Sequence, residues 1–120
     1  MAALPRRLFA FLLICAASAG AHAAGDCVAE VEAESARIAR AQDVQRTHEA
    51  ANDLQLDHKL CQGRLDLLDA RFALADQFEA CRRDGVAFPQ KLARDMGETA
   101  DELPDLKAKW IRTCGPYMKP

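Results

Sequence analysis

From Asp26 to Asp84 the chain contains no proline, and its one glycine in that stretch is Gly63. Ala, Leu, Glu, Gln and Arg, the good helix formers, dominate there, whereas β-branched and aromatic residues are sparse. Few constraints on a fold are stronger, because a sheet needs the opposite composition and turns at short intervals. The expected fold class is all-α.

The first residues read differently. Met1–Arg7 carries Arg6 and Arg7 and no acid, Leu8–Ala17 is apolar throughout, and Ser18–Ala24 turns to small residues, with Ala21-His22-Ala23 as an A-x-A cleavage site. This order is that of a secretory signal peptide, residues 1–23, that is cleaved. An uncleaved membrane anchor is disfavoured because Leu8–Ala24 is short of a comfortable bilayer span. A lipid-modified Cys15 is disfavoured by Ile14, where such signals want a small residue. Residues 24–120 are then expected to form a single helical, disulfide-bonded domain with no membrane span after cleavage. The alanine-rich composition and short, arginine-led signal resemble those of bacterial export, with the periplasm or the medium as destination.

Without residues 1–23, 14 basic side chains face 18 acidic ones, a net charge of about −4. An acidic domain without a basic run is a poor partner for nucleic acid.

Three helices follow from the pattern. The first is expected from about Asp26 to Ala51, with Asp26 as N-cap and a thin stripe of Cys27, Val31, Ile38, Ala41 and His48 that resembles a coiled-coil seam. Asn52-Asp53 is the expected break, with Asp53 capping a second helix that ends at Asp84-Gly85. That helix carries two stripes, one of Cys61, Leu65, Leu68, Phe72 and Ala75, the other of Leu60, Leu67, Leu74, Phe78 and Cys81. Two apolar seams on one helix mean two neighbours. The third helix is expected to start at Pro89 and to bury Phe88, Leu92, Met96, Leu103, Trp110 and Cys114, with a kink or short break near Gly97–Asp101, where Asp101 and Pro104 fit the start of a new segment. Gly115-Pro116 ends it. The architecture expected is an antiparallel three-helix array.

Cys27, Cys61, Cys81 and Cys114 are an even set, spaced 34, 20 and 33 residues apart, without the close pairs of a metal site or the C-x-x-C-H of covalent haem. Two disulfides are expected. Cys61 and Cys81 lie on one helix about 30 Å apart, too far to bond each other. In an antiparallel hairpin, bonded partners are equidistant from the turn. The midpoint of Cys27 and Cys81 is position 54, beside Asn52-Asp53, and that of Cys61 and Cys114 lies between 87 and 88, inside Gly85–Pro89. The predicted pairs are Cys27–Cys81 and Cys61–Cys114; the competing set, Cys27–Cys61 with Cys81–Cys114, needs helix 1 to fold differently.

No catalytic constellation is legible. After residue 23, Ser35 is the only serine, it has no base at a useful spacing, and there is no phosphate-binding glycine loop. Asp66/Asp69 and Asp101/Glu102/Asp105 read as solvated helix faces. His48 and His58 both fall near the first turn and are the weak candidates for a metal or pH-sensing pair. Tyr117 and Met118, after the last cysteine, are the weak candidates for an exposed docking tail. No cofactor is expected and no enzymatic activity. The function expected is that of an exported, non-catalytic interaction module, such as an adaptor, inhibitor or chaperone-like factor. It would work through self-association or a protein partner, with Ser35 and Gln42 flanking a helix 1 seam that is only partly covered. The alternatives are a small metal- or ligand-binding protein using His48 and His58, and a structural envelope component.

Overall fold

The computed structural model describes residues 24–119, so the expected signal segment lies outside the described residues. Three α-helices are present: α1 (Ala24–Ala51), α2 (His58–Arg83) and α3 (Gln90–Cys114), the last joined directly to a 3-10 turn, Gly115–Tyr117. No strand occurs among the described residues.

α2 is the central helix and runs antiparallel to both others. Against α1, Gln77 Nε2 donates to Glu30 Oε2 (3.3 Å) at one end of the pair, and Gln45 Nε2 donates to the Leu60 carbonyl (3.4 Å) at the other. Against α3, the Phe78 ring lies 4.6 Å from that of Phe88 in the turn just before α3, and the Asp69–Lys107 pair (3.8 Å) lies further along. The disulfides are Cys27–Cys81 and Cys61–Cys114, with Cα separations of 6.3 and 5.4 Å. These are the pairs that the midpoints predicted.

The two turns close their helices through the same pair of hydrogen bonds, although Leu54 is left-handed as well as Asp53 (φ 56°). After α1, Asp53 takes a left-handed conformation (φ 54°), its N–H bonds to the Ala50 carbonyl, and the Leu54 N–H reaches the Glu49 carbonyl at 2.8 Å. After α2, Gly85 does the same (φ 86°), with its N–H on Arg82 and the Val86 N–H on Cys81, both at 3.0 Å. Both are Schellman closures, in which the residue beyond the helix swings left-handed to satisfy the last carbonyls. Asp53 therefore closes α1 and does not cap α2, contrary to expectation. The cap is Asp57, whose Oδ1 accepts the Leu60 N–H at 2.7 Å. A residue held at positive φ lacks the extended backbone of an N-cap, so the cap falls after the turn.

α3 is helical without interruption from Gln90 to Cys114, so the expected break near Gly97–Asp101 is not there. Pro104 sits inside the helix, where it supplies no N–H to Ala100; an interior proline costs about 3 kcal/mol. The same helix buries Met96, Leu103 and Cys114 to 3% exposure or less. Burial of a side chain of this kind contributes about 1.5–3 kcal/mol, so packing on both sides of Pro104 offsets its cost and holds the helix as one piece.

The apolar interior falls into two parts. The first joins all three helices: Val31 and Ile38 of α1, Leu74 and Phe78 of α2, and Met96 of α3, with Phe88, Leu92 and Ala93 packed around them. The second surrounds the other disulfide: Leu60, Cys61 and Cys114, with Leu56, Trp110 and Met118. No residue of α1 belongs to it. α1 is thus anchored in apolar packing through its first half only.

Candidate functional site

The division of the core opens the molecule at one end. Beyond Ile38, α1 meets α2 through polar side chains: Gln45 on the Leu60 carbonyl, and Glu49 Oε1 paired with Arg64 Nε at 2.6 Å. Gly63 permits this approach. A Cβ there would fall 2.8 Å from Gln45 Cδ, so any other residue displaces the Gln45 side chain. Glu49 is the one partly buried carboxylate of this contact. Burial alone would raise its pKa, but the hydrogen bonds from Arg64 and Gln45 and the Arg64 charge outweigh that, and its carboxyl is held below the usual range.

Between α1 and α3, over the exposed side of α2, lies a groove of about 250 Å³. Two matching rows line it. Arg64, Leu67, Leu68 and Arg71 come from α2, and Leu106, Lys109, Trp110 and Thr113 from α3, each at the i, i+3, i+4, i+7 positions of one helix face; Gln42 of α1 closes the side. The floor is apolar and the rim carries Arg64, Arg71 and Lys109, with no carboxylate among the lining residues. Trp110 is fixed in place: its Nε1–H donates to the Cys61 carbonyl at 2.9 Å, and Lys107 Nζ sits 5.2 Å from its ring centroid.

A second, polar cleft of about 530 Å³ flanks the α1–α2 turn. His48 and His58 both line it, together with Glu49, Asp57 and Asp66. The structure thus brings the two histidines to one cleft. It does not put His48 on a buried seam, as its spacing from Ile38 and Ala41 had implied: His48 is exposed, because α1 has left the apolar core before reaching it. His58 Nδ1 lies 3.2 Å from the Tyr117 carbonyl and must carry the proton there, since a carbonyl only accepts. Among the described residues no group of three or more His, Cys, Asp or Glu side chains is placed to hold a metal ion.

The expected docking tail divides. Tyr117 is exposed (43%), whereas Met118 packs on the Leu60–Cys61–Cys114 cluster and its N–H bonds to the Gly115 carbonyl at 3.1 Å. The carboxylates read as surface are surface: Asp66 accepts from Gln62 (2.8 Å), Asp69 faces Lys107, and Asp101, Glu102 and Asp105 are exposed. No polar or charged residue is buried among the described residues.

Sequence reasoning missed the groove. Its signal is present in the two i, i+3, i+4, i+7 rows, but Leu67 falls in the seam that carries Cys81, the cysteine bonded to Cys27 of α1, and the spacing does not say that α1 leaves it uncovered. No family model, no curated protein and no solved structure matches this chain.

Proposed function

We propose that this chain is an exported, non-catalytic protein-interaction module that docks a partner protein in the groove between α1 and α3. The observation that carries the reading is the groove itself: half-buried Leu67, Leu106 and Trp110 line an open channel that the chain's own α1 leaves unfilled. Apolar side chains on a rigid, disulfide-braced surface, set inside a polar rim, are what protein interfaces use as anchors. Two further features support it. The two disulfides fit an oxidising compartment, and no helix among the described residues is long and apolar enough to cross a membrane. The side chains of the groove include no nucleophile paired with a base.

A photo-crosslinking residue placed at Thr113, on the exposed groove rim, tests this in living cells. The expected result is a discrete adduct with one protein from Thr113 and none from the same probe at Val44, which is 57% exposed on α1 and outside the groove. Equal or absent adducts at the two positions overturn the reading.

A second reading, a small ligand or metal held in the polar cleft, draws on the meeting of His48 and His58 there. Zinc titration that leaves both imidazole NMR signals unmoved removes its metal form.

A further inference from the structure

We propose that the partner presented to this groove is an acidic amphipathic helix. This rests on the docking reading above and goes beyond it by naming the chemistry of the occupant.

Shape comes first. The groove is lined by the antiparallel helices α2 and α3, each contributing a face about two turns long, with α1 adding only Gln42 at the side. Arg64 and Arg71 are seven residues apart, hence about 10 Å along α2. A third helix laid along such a channel would set its own i, i+3, i+4, i+7 side chains on Leu67, Leu68, Leu106 and Trp110, the helix-in-groove mode of recognition. The volume of about 250 Å³ is below the range of about 300–1,000 Å³ in which drug-sized ligands are enclosed, so it fits the inserted side chains of a protein better than a small molecule.

Charge selects among helices. Every charged residue lining the groove is basic: Arg64, Arg71 and Lys109. Arg71 and Lys109 make no ion pair among the described residues, and Arg64 engages Glu49 only through Nε. This cationic strip runs against the composition, since acids outnumber bases in the chain by 18 to 16. A partner that flanks its apolar stripe with Asp or Glu would pair these cations as it buries the floor. A basic helix would leave like charges facing each other at short range, which costs affinity and rejects it. A second copy of the chain is a poor occupant. Its most acidic helix, α1, has already buried its apolar stripe of Cys27, Val31 and Ile38.

The test uses the natural, oxidised protein and two synthetic helical peptides that share one leucine stripe, flanked by glutamate in one and by lysine in the other. Trp110 is the sole tryptophan and lies in the groove, so its fluorescence reports binding directly. The glutamate peptide is expected to bind about tenfold or more tightly at low ionic strength, with the gap closing at high salt as screening sets in. The double variant Arg71→Glu/Lys109→Glu, with unchanged helical circular dichroism, is expected to reverse the order. Equal binding of the two peptides overturns the acidic assignment and leaves the docking reading standing. Binding of neither, or a stable dimer that occludes Trp110, overturns the inference, and the Thr113 crosslink then decides the docking reading by itself.

Discussion

Trp110 donates its indole N–H to the Cys61 carbonyl at 2.9 Å, and the Cys61 sulfur is bonded to Cys114, one helical turn beyond Trp110. α3 is therefore clasped to α2 twice within one turn, once by a hydrogen bond and once covalently. Trp110→Phe keeps most of the ring contact and loses the bond, and is expected to cost about 0.5–1.5 kcal/mol. Trp110→Ala also strips the Leu60–Cys61–Cys114 cluster of the largest side chain packed on it and is expected to cost about 3 kcal/mol. Urea unfolding followed by circular dichroism separates the two; equal losses would mean that the hydrogen bond contributes nothing.

Glu49 makes the fold sensitive to acid. A carboxyl whose folded pKa is depressed contributes stability in full above its unfolded pKa, about 4.3 for glutamate, and loses it as pH falls through the lower folded value. The depression at Glu49 survives the opposing effect of burial through the Arg64 and Gln45 bonds. Glu49→Gln is therefore expected to flatten the fall of the melting temperature below about pH 4 relative to wild type. Parallel pH–Tm curves for the two proteins would show that the ion pair is not felt.

Gly63 and Gln45 are coupled. Alanine in place of a mid-helix glycine ordinarily stabilises by up to about 1 kcal/mol. Here the new methyl must displace the Gln45 side chain and with it the bonds to the Leu60 carbonyl and to Glu49. Gly63→Ala is expected to be neutral or destabilising in the wild type, yet to stabilise by about 1 kcal/mol in a Gln45→Ala background. Additive effects in this double-mutant cycle would refute the close approach of α1 to α2.

The disulfides carry much of the stability. They join residues 54 and 53 positions apart, and loops of that size are worth up to about 4 kcal/mol each against a typical domain stability of about 5–15 kcal/mol. Reduction is expected to melt or loosen the array, and unchanged helical circular dichroism and Tm in dithiothreitol would contradict this. The two bonds are also distinguishable. Cys61→Ser/Cys114→Ser should red-shift Trp110 emission, because these cysteines are two of the three buried members of its cluster. Cys27→Ser/Cys81→Ser should leave that emission unshifted in the cold.

The helices, their order and both disulfides were legible in the sequence because each followed from a strong local or geometric constraint. A long stretch of helix formers has few alternatives, and the cysteine midpoints and the turn residues point independently to the same places. The departures share a physical cause: tertiary context overrides local residue preference. Asp53 has the chemistry of an N-cap, but a left-handed turn claims it, and Asp57 caps instead. Gly97, Asp101 and Pro104 have the chemistry of a break, but the burial of Met96 and Leu103 before Pro104 and of Cys114 after it keeps α3 whole. His48 continues the phase of Ile38, but periodicity along one helix does not record where its neighbour stops touching it. The groove was hidden for the same reason. Its two rows are visible as spacing, whereas their exposure depends on the path of α1.

That path is the point on which the account of the groove depends. Hydrogen exchange on the natural, oxidised protein, read by mass spectrometry along α1, tests it directly. Amides around Cys27–Ile38, which share the apolar core with α2 and α3, are expected to be strongly protected, and those from Gln42 to Ala51, which belong to neither apolar cluster and meet α2 through Gln45 and Glu49, to exchange much faster. Uniform protection along α1 would contradict the account, because it would mean that the second half of α1 is packed as firmly as the first and leaves no open groove.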